Sequence, residues 1–186
     1  MQSKLIFDQR HLQITINRLC FQLIENHDFF NDTLIIGLQS RGVFLSRRIH
    51  QQLKVILPTS NIQHGEMDVS FHRDDFRRRE MIVPSATNIN FILEGKNVIL
   101  IDDVLQTGRT IRAGLDALLA FGRPAKVELL VLINRKFSRH YPIAPDYIGM
   151  SIDTNISDKV KVHWKETEDE DGVWLISQDK KNDTAA

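Results

Sequence analysis

The sequence predicts an α/β protein: a central, mostly parallel sheet flanked by helices. Short continuous apolar runs recur along the chain, at Thr33–Leu38, Asn97–Ile101 and Val127–Asn134, as strands buried on both faces should read. Stretches with helical spacing separate them, and strands alternating with helices indicate a parallel sheet covered on both sides. Polar, glycine-bearing segments follow directly after these strands, where ligands bind in such sheets, beyond the carboxyl ends of the strands.

Taken in order, Asp8 precedes Leu12, Ile16, Leu19, Cys20, Leu23 and Ile24, a helical spacing with a capping residue in front. After the strand Thr33–Leu38, Gly42 opens a second amphipathic helix that carries Val43, Phe44, Ile49 and Leu53 on one side and Arg47 and Arg48 on the other. Residues 62–71 alternate loosely and read as a strand. The polar stretch His72–Glu80 follows, with Arg73, Arg77, Arg78 and Arg79. The run Arg77–Arg79 reads as a solvated loop. Thr110 to Phe121 is a helix ended by Gly122, with Pro124 just beyond. Shorter strand signals lie at Tyr147–Met150, Lys159–Trp164 and Val173–Ile176, the last two separated by the acidic turn Glu166–Asp171. No repeat, linker or composition shift divides the chain, so residues 1–186 are expected to form one domain.

Composition narrows the function classes. With 42% apolar and 26% charged residues the 186-residue chain has the make-up of a folded domain. Its formal net charge is zero, so any nucleic-acid binding must come from a local patch. The single cysteine, Cys20, sits in an apolar helical stretch and reads as a buried structural thiol. One cysteine allows no intrachain disulfide, no apolar run approaches the length of a membrane span, and the N-terminus lacks a signal-peptide core. A cytoplasmic protein without a membrane partner is expected.

The segment with the most chemical content runs from Asn97 to Thr110. An apolar strand delivers Asp102 and Asp103 to the carboxyl edge of the sheet. Two adjacent carboxylates there repel each other and lose hydration, and a sugar diol or a hydrated Mg²⁺ would compensate both. Val104 and Leu105 carry the chain on, and Gln106-Thr107-Gly108-Arg109-Thr110 turns into the next helix. Gly108 lets the backbone curl with its N–H groups inward, Thr107 and Thr110 add hydroxyls, and the helix start adds partial positive charge. The outcome is a cup for a phosphate about one ribose away from an acid pair. A lone Thr-Gly-x-Thr would read instead as a threonine-capped helix start; the unbroken order of strand, acids, spacer and cup favours the phosphate. A Walker loop would need Gly-Lys-Ser/Thr.

This segment resembles the signature with which type I phosphoribosyltransferases hold 5-phosphoribosyl-1-pyrophosphate (PRPP). Ile36-Gly-Leu-Gln-Ser-Arg-Gly42 resembles the pyrophosphate loop of that family, and Gly65 to Asp75 the start of its mobile loop. Asn134-Arg135, Pro142 to Gly149 and Lys159-Val160 are similar to the base-binding part of the PyrR proteins, pyrimidine-operon attenuators with uracil phosphoribosyltransferase activity. The similarity covers nearly the whole chain, Phe7 to Ile176. It implies the type I fold with a small C-terminal base-binding hood, and a homodimer or higher homo-oligomer. It further implies that Asp102 and Asp103 hold the ribose hydroxyls, with Asp103 close to Mg²⁺, directly or through water. Thr107, Gly108, Arg109 and Thr110, with the backbone of Val104, Leu105 and Gln106, would hold the 5-phosphate. Ser40 and Arg41 would bind pyrophosphate, Arg73 would reach in from the mobile loop, and Arg135 with the backbone at Val160 would face uracil. Read from the residues alone, Arg135 is equally a surface arginine after a strand.

The implied activity is conversion of uracil and PRPP to UMP and pyrophosphate, with PyrR-type regulation through RNA. The chain departs from the PyrR pattern on its RNA side. Arg18 matches a polar or basic position of that face, whereas Phe21, Asn26, Ala144 and Met150 stand where family members carry histidine, arginine or lysine. Asn134 replaces an aspartate, and one extra residue lies between Lys136 and Tyr141, where Arg139 and His140 would restore some charge. Tight RNA binding is therefore not expected. Two other readings stay open: a purine phosphoribosyltransferase, since the PRPP motif is shared, and a nucleotide-sensing attenuator with little catalysis.

Overall fold

A computed structural model describes residues 2–70, 86–155 and 157–177. The elements run β1 (Gln2–Phe7), α1 (Gln9–His27), β2 (Thr33–Leu38), α2 (Gly42–Ile56), β3 (Gln63–Met67), β4 (Asn97–Leu105), α3 (Arg109–Leu118), β5 (Lys126–Arg135), β6 (Tyr147–Ile152), β7 (Lys159–His163) and β8 (Gly172–Ser177). Five strands form a sheet in the order β3-β2-β4-β5-β6, every neighbour parallel. The expected parallel α/β sheet is present.

The continuous apolar runs are explained by burial on both faces. Ile35, Ile99, Ile101, Leu130 and Leu132 point to the side covered by α1 and α2, where they meet Leu12, Ile16, Leu19, Leu45 and Ile49. Their neighbours Ile36, Leu38, Val98, Leu100, Leu129 and Val131 point the other way, against Ile111, Ala117 and Leu118 of α3. Successive strand residues thus alternate between two cores. Cys20 lies wholly inside the first, and burial pushes its thiol up to about 12, which leaves it inert. Asp8 caps α1, its carboxylate accepting the His11 N–H at 2.8 Å.

A second sheet, β1-β8-β7, is antiparallel. Its first strand was not expected from the sequence. Gln2–Phe7 carries exposed Ser3, Lys4 and Leu5, so it lacks the apolar run of an interior strand, and its partner β8 lies near the other end of the chain. The sheet is fixed to α2 by charge: Arg48 binds Glu166 at 2.6 Å and Asp171 at 2.7 Å, with its guanidinium 4.9 Å above the ring of the fully buried Trp164. Residues 166–171, read from sequence as an acidic turn, therefore tie this small sheet to α2.

Candidate active site

The carboxyl edge of the main sheet is where the predicted site residues meet. The last residues of β4 include Asp102 and Asp103, both about 8% exposed. Asp102 Oδ1 accepts the backbone N–H of Asp103 at 2.9 Å, which fixes one carboxylate against the strand end. Burial raises the pKa of Asp103, against the pull of nearby Arg41 and of hydrogen bonds from backbone N–H groups. Arg41 sits directly before α2, its Nε 3.6 Å from Asp103 Oδ2. This proximity depends on Gly42: a Cβ there would lie 2.6 Å from Ile101 O and 2.8 Å from Asp102 Cα. Any side chain at Gly42 would push the start of α2 off the end of β4.

Arg41 is also held from the small sheet. One terminal nitrogen donates to Val162 O on β7 and to Glu168 Oε1, the latter at 2.7 Å. Burial raises the Glu168 carboxyl, but hydrogen bonds from Thr167, Arg41 and the Trp164 N–H outweigh it and bring its pKa down to about 2. Glu168 is thus an anion at neutral pH. Sequence reading missed it, because in an acidic turn it resembled a solvated charge. Ser40, exposed, precedes Arg41.

Past the acid pair, the chain turns at Gly108, which holds φ +86° and is the N-cap of α3 with no side-chain cap bond. The threonine-capped helix start is therefore not what forms; Thr107 Oγ1 instead meets the Arg109 N–H at a long 3.4 Å. The start of a helix leaves N–H groups without partners inside the helix. Here they adjoin a small cavity of about 160 Å³ lined by Asp102, Val104, Leu105, Gln106, Thr107, Gly108, Thr110 and Ile111. One cavity thus joins the first aspartate of the pair to the turn.

Arg135 and Val160 are arranged differently from the simplest expectation. Arg135 is not a surface residue: it is 1% exposed. It donates from Nε to Thr154 Oγ1 at 3.2 Å and from a terminal nitrogen to Asn155 O at 3.1 Å. It braces the loop that leads into β7, the strand carrying half-buried Val160. Asp146, in the other segment read as base-binding, holds the N–H of Leu129 at 2.8 Å near the start of β5, at the opposite edge of the sheet. Arg73 and the run Arg77–Arg79 lie outside the described residues. Among the described residues no group of three or more His, Cys, Asp or Glu side chains could hold a metal ion, and no helix is long and apolar enough to cross a membrane.

Comparison with known proteins agrees with this geometry. The phosphoribosyl transferase domain profile matches residues 2–170. The chain is 39% identical over 175 residues to the bifunctional protein PyrR of Elusimicrobium minutum, covering 94% of this chain and 97% of that one. It is 41% identical over 169 residues to the bifunctional protein PyrR of Desulfosudis oleivorans, covering 90% and 93%. Among solved structures, the hypoxanthine phosphoribosyltransferase of Trypanosoma cruzi superimposes with a TM-score of 0.71 at 14% identity, over 94% of this chain and 91% of the other. A hypoxanthine-guanine phosphoribosyltransferase of Bacillus anthracis does so with 0.68 at 13%, over 95% and 100%. At that identity the structural likeness speaks for the fold alone. By profile, sequence identity and fold together, the chain belongs to the phosphoribosyl transferase family and, within it, to the PyrR proteins.

Proposed function

We propose that this chain transfers the 5-phosphoribosyl group of PRPP to uracil, releasing pyrophosphate and forming UMP. The observation that carries the reading is the cavity shared by Asp102 and the Gly108 turn, with Asp103 and Arg41 beside it. Asp102 and Asp103 would accept hydrogen bonds from the ribose hydroxyls, and the turn from Val104 to Thr110 would hold the 5-phosphate with backbone N–H groups. Ser40 and Arg41 would grip the diphosphate, which gains charge as its bond to the anomeric carbon breaks. Arg73 would close over it from the mobile loop, excluding water that would hydrolyse PRPP. Uracil N1 would form the new bond on the opposite face, near the β7 backbone at Val160, with Arg135 shaping that wall from behind.

The acid pair also suits Mg²⁺. Two adjacent carboxylates fit an ion that keeps waters and shares its shell with substrate oxygens, with Asp103 the nearer ligand, directly or through water. When bound, the ion would neutralise charge on the leaving diphosphate.

Uracil rather than a purine is supported by the identity to the PyrR proteins, which far exceeds that to the purine enzymes of the same fold. The test is a parallel assay of uracil, hypoxanthine, guanine and orotate with PRPP and Mg²⁺. Turnover of uracil alone is expected; turnover of a purine without uracil would transfer the reading to the purine enzymes. A homodimer belongs to the same proposal. Exposed Ile14 on α1 and Val55 on α2 supply apolar surface for it, and sedimentation at micromolar concentration should show no monomer.

A further inference from the structure

Arg139 lies between β5 and β6 and is half-buried. Its Nε donates to Ile143 O at 3.1 Å, Nη1 donates to Leu105 O at 3.0 Å and also to Gln106 O, and Nη2 donates to Asn134 Oδ1. The next two residues continue the pattern: the N–H groups of His140 and Tyr141 both donate to Thr107 O, at 2.9 and 3.3 Å. Three consecutive carbonyls of the turn, those of Leu105, Gln106 and Thr107, are therefore drawn toward one short segment.

This arrangement matters for an anion. In a trans peptide the carbonyl of one residue and the N–H of the next point in opposite directions, and the peptides of this turn are trans. With the carbonyls of residues 105–107 held toward the 139–141 segment, the N–H groups of Gln106, Thr107 and Gly108 are directed away from it. All three residues line the cavity beside the acid pair. A carbonyl turned the other way would set partial negative charge against a phosphate. The described partners of Arg139 are neutral oxygens, so its charge adds to the attraction.

We propose that Arg139 is a positioning residue for the 5-phosphate: it holds the carbonyls of the phosphate turn outward and so presents the N–H groups to PRPP and to the nucleotide product. The inference rests on the reading of the preceding subsection for its ligand. Its nearest rival is a general structural role, in which loss of Arg139 would weaken every ligand together.

Arg139→Met and Arg139→Lys separate the two. Calorimetry would measure ribose 5-phosphate, which uses the phosphate turn, and inorganic pyrophosphate, which uses the Arg41 side. Steady-state kinetics would give KM for PRPP and kcat with uracil. In Arg139→Met, ribose 5-phosphate affinity should fall and KM for PRPP rise by about tenfold, with pyrophosphate affinity and kcat changing less than about threefold. Arg139→Lys keeps the charge but replaces the fork by one donor group, so it should fall between, and it carries the comparison should the methionine variant not fold. Unchanged ribose 5-phosphate affinity, or equal loss of both ligands, would overturn the proposal. A wild type that binds ribose 5-phosphate yet turns over no base would count against the enzymatic reading and leave Arg139 to be judged by binding.

Discussion

Asp102 and Asp103 occupy a position that a carboxylate pair would leave if it could: buried, adjacent and at the end of an apolar strand. Without substrate, Arg41 offsets part of that cost at 3.6 Å from Asp103, while Glu168 balances Arg41 in turn at 2.7 Å. On the proposed reading, pyrophosphate would compete with Glu168 for the same guanidinium. Glu168→Gln keeps an acceptor near Arg41 but removes the opposing charge, so pyrophosphate inhibition should strengthen by about threefold to tenfold, more at low than at high ionic strength. Weaker inhibition in this variant would mean that Glu168 serves mainly to hold Arg41 in place. Glu168 was not legible in the sequence as a neighbour of the site, and Arg139 was legible only as a charge for the RNA face, for one physical reason. A lone charge in a polar segment looks solvated, and its partners, Arg41 for one and the carbonyls of residues 105–106 for the other, are distant in the chain.

Elements were legible where the burial pattern was unambiguous. Thr33–Leu38 is buried throughout and its limits could be read directly, and α1 followed from Asp8 and the apolar spacing behind it. β1 was not legible, because a half-exposed strand has no distinctive run and needs β8 to exist. Residues 62–71 gave a strand that proved shorter, Gln63–Met67. The contact between α2 and β3 carries a pH signature. His64 Nε2 meets Ser46 Oγ at 3.0 Å, and the ring stacks on His50 with centroids 5.0 Å apart. Burial, with the charge of His50 adding to it, lowers the His64 pKa from 6.5 to about 4. The folded state therefore binds this proton less readily than the unfolded chain. Its contribution to stability is complete above pH 6.5 and is lost as pH falls toward and through about 4. Denaturant midpoints at pH 7.5 and pH 5 should show His64→Gln losing less stability on acidification than the wild type. An equal loss would assign the acid sensitivity to other groups.

At the scale of the whole molecule, charge bears on the second half of the PyrR role. The face expected to meet RNA carries Phe21, Asn26, Ala144 and Met150, positions at which the resemblance implies histidine, arginine or lysine. Of the cations left there, Arg18 donates to Ile148 O at 3.1 Å and Gly149 O at 2.6 Å, and Arg139 donates to the carbonyls of Leu105 and Gln106. Each phosphate contact given up lowers both affinity and its dependence on salt. Titration of the protein's own pyrimidine-operon leader against a scrambled RNA should show weak binding, little preference and a shallow salt slope. Nanomolar preference for the true leader, raised by UMP, would reverse this. If the end of β4 and the turn behind it form a PRPP site, UMP formation from uracil and PRPP by the wild type and by Asp102→Asn/Asp103→Asn, with thermal melts of both, will reveal it. Turnover by the wild type and its near abolition in the double variant are expected. That variant should melt no lower, because removing two crowded carboxylates relieves their repulsion. Wild-type turnover in the double variant, or its outright unfolding, would contradict it.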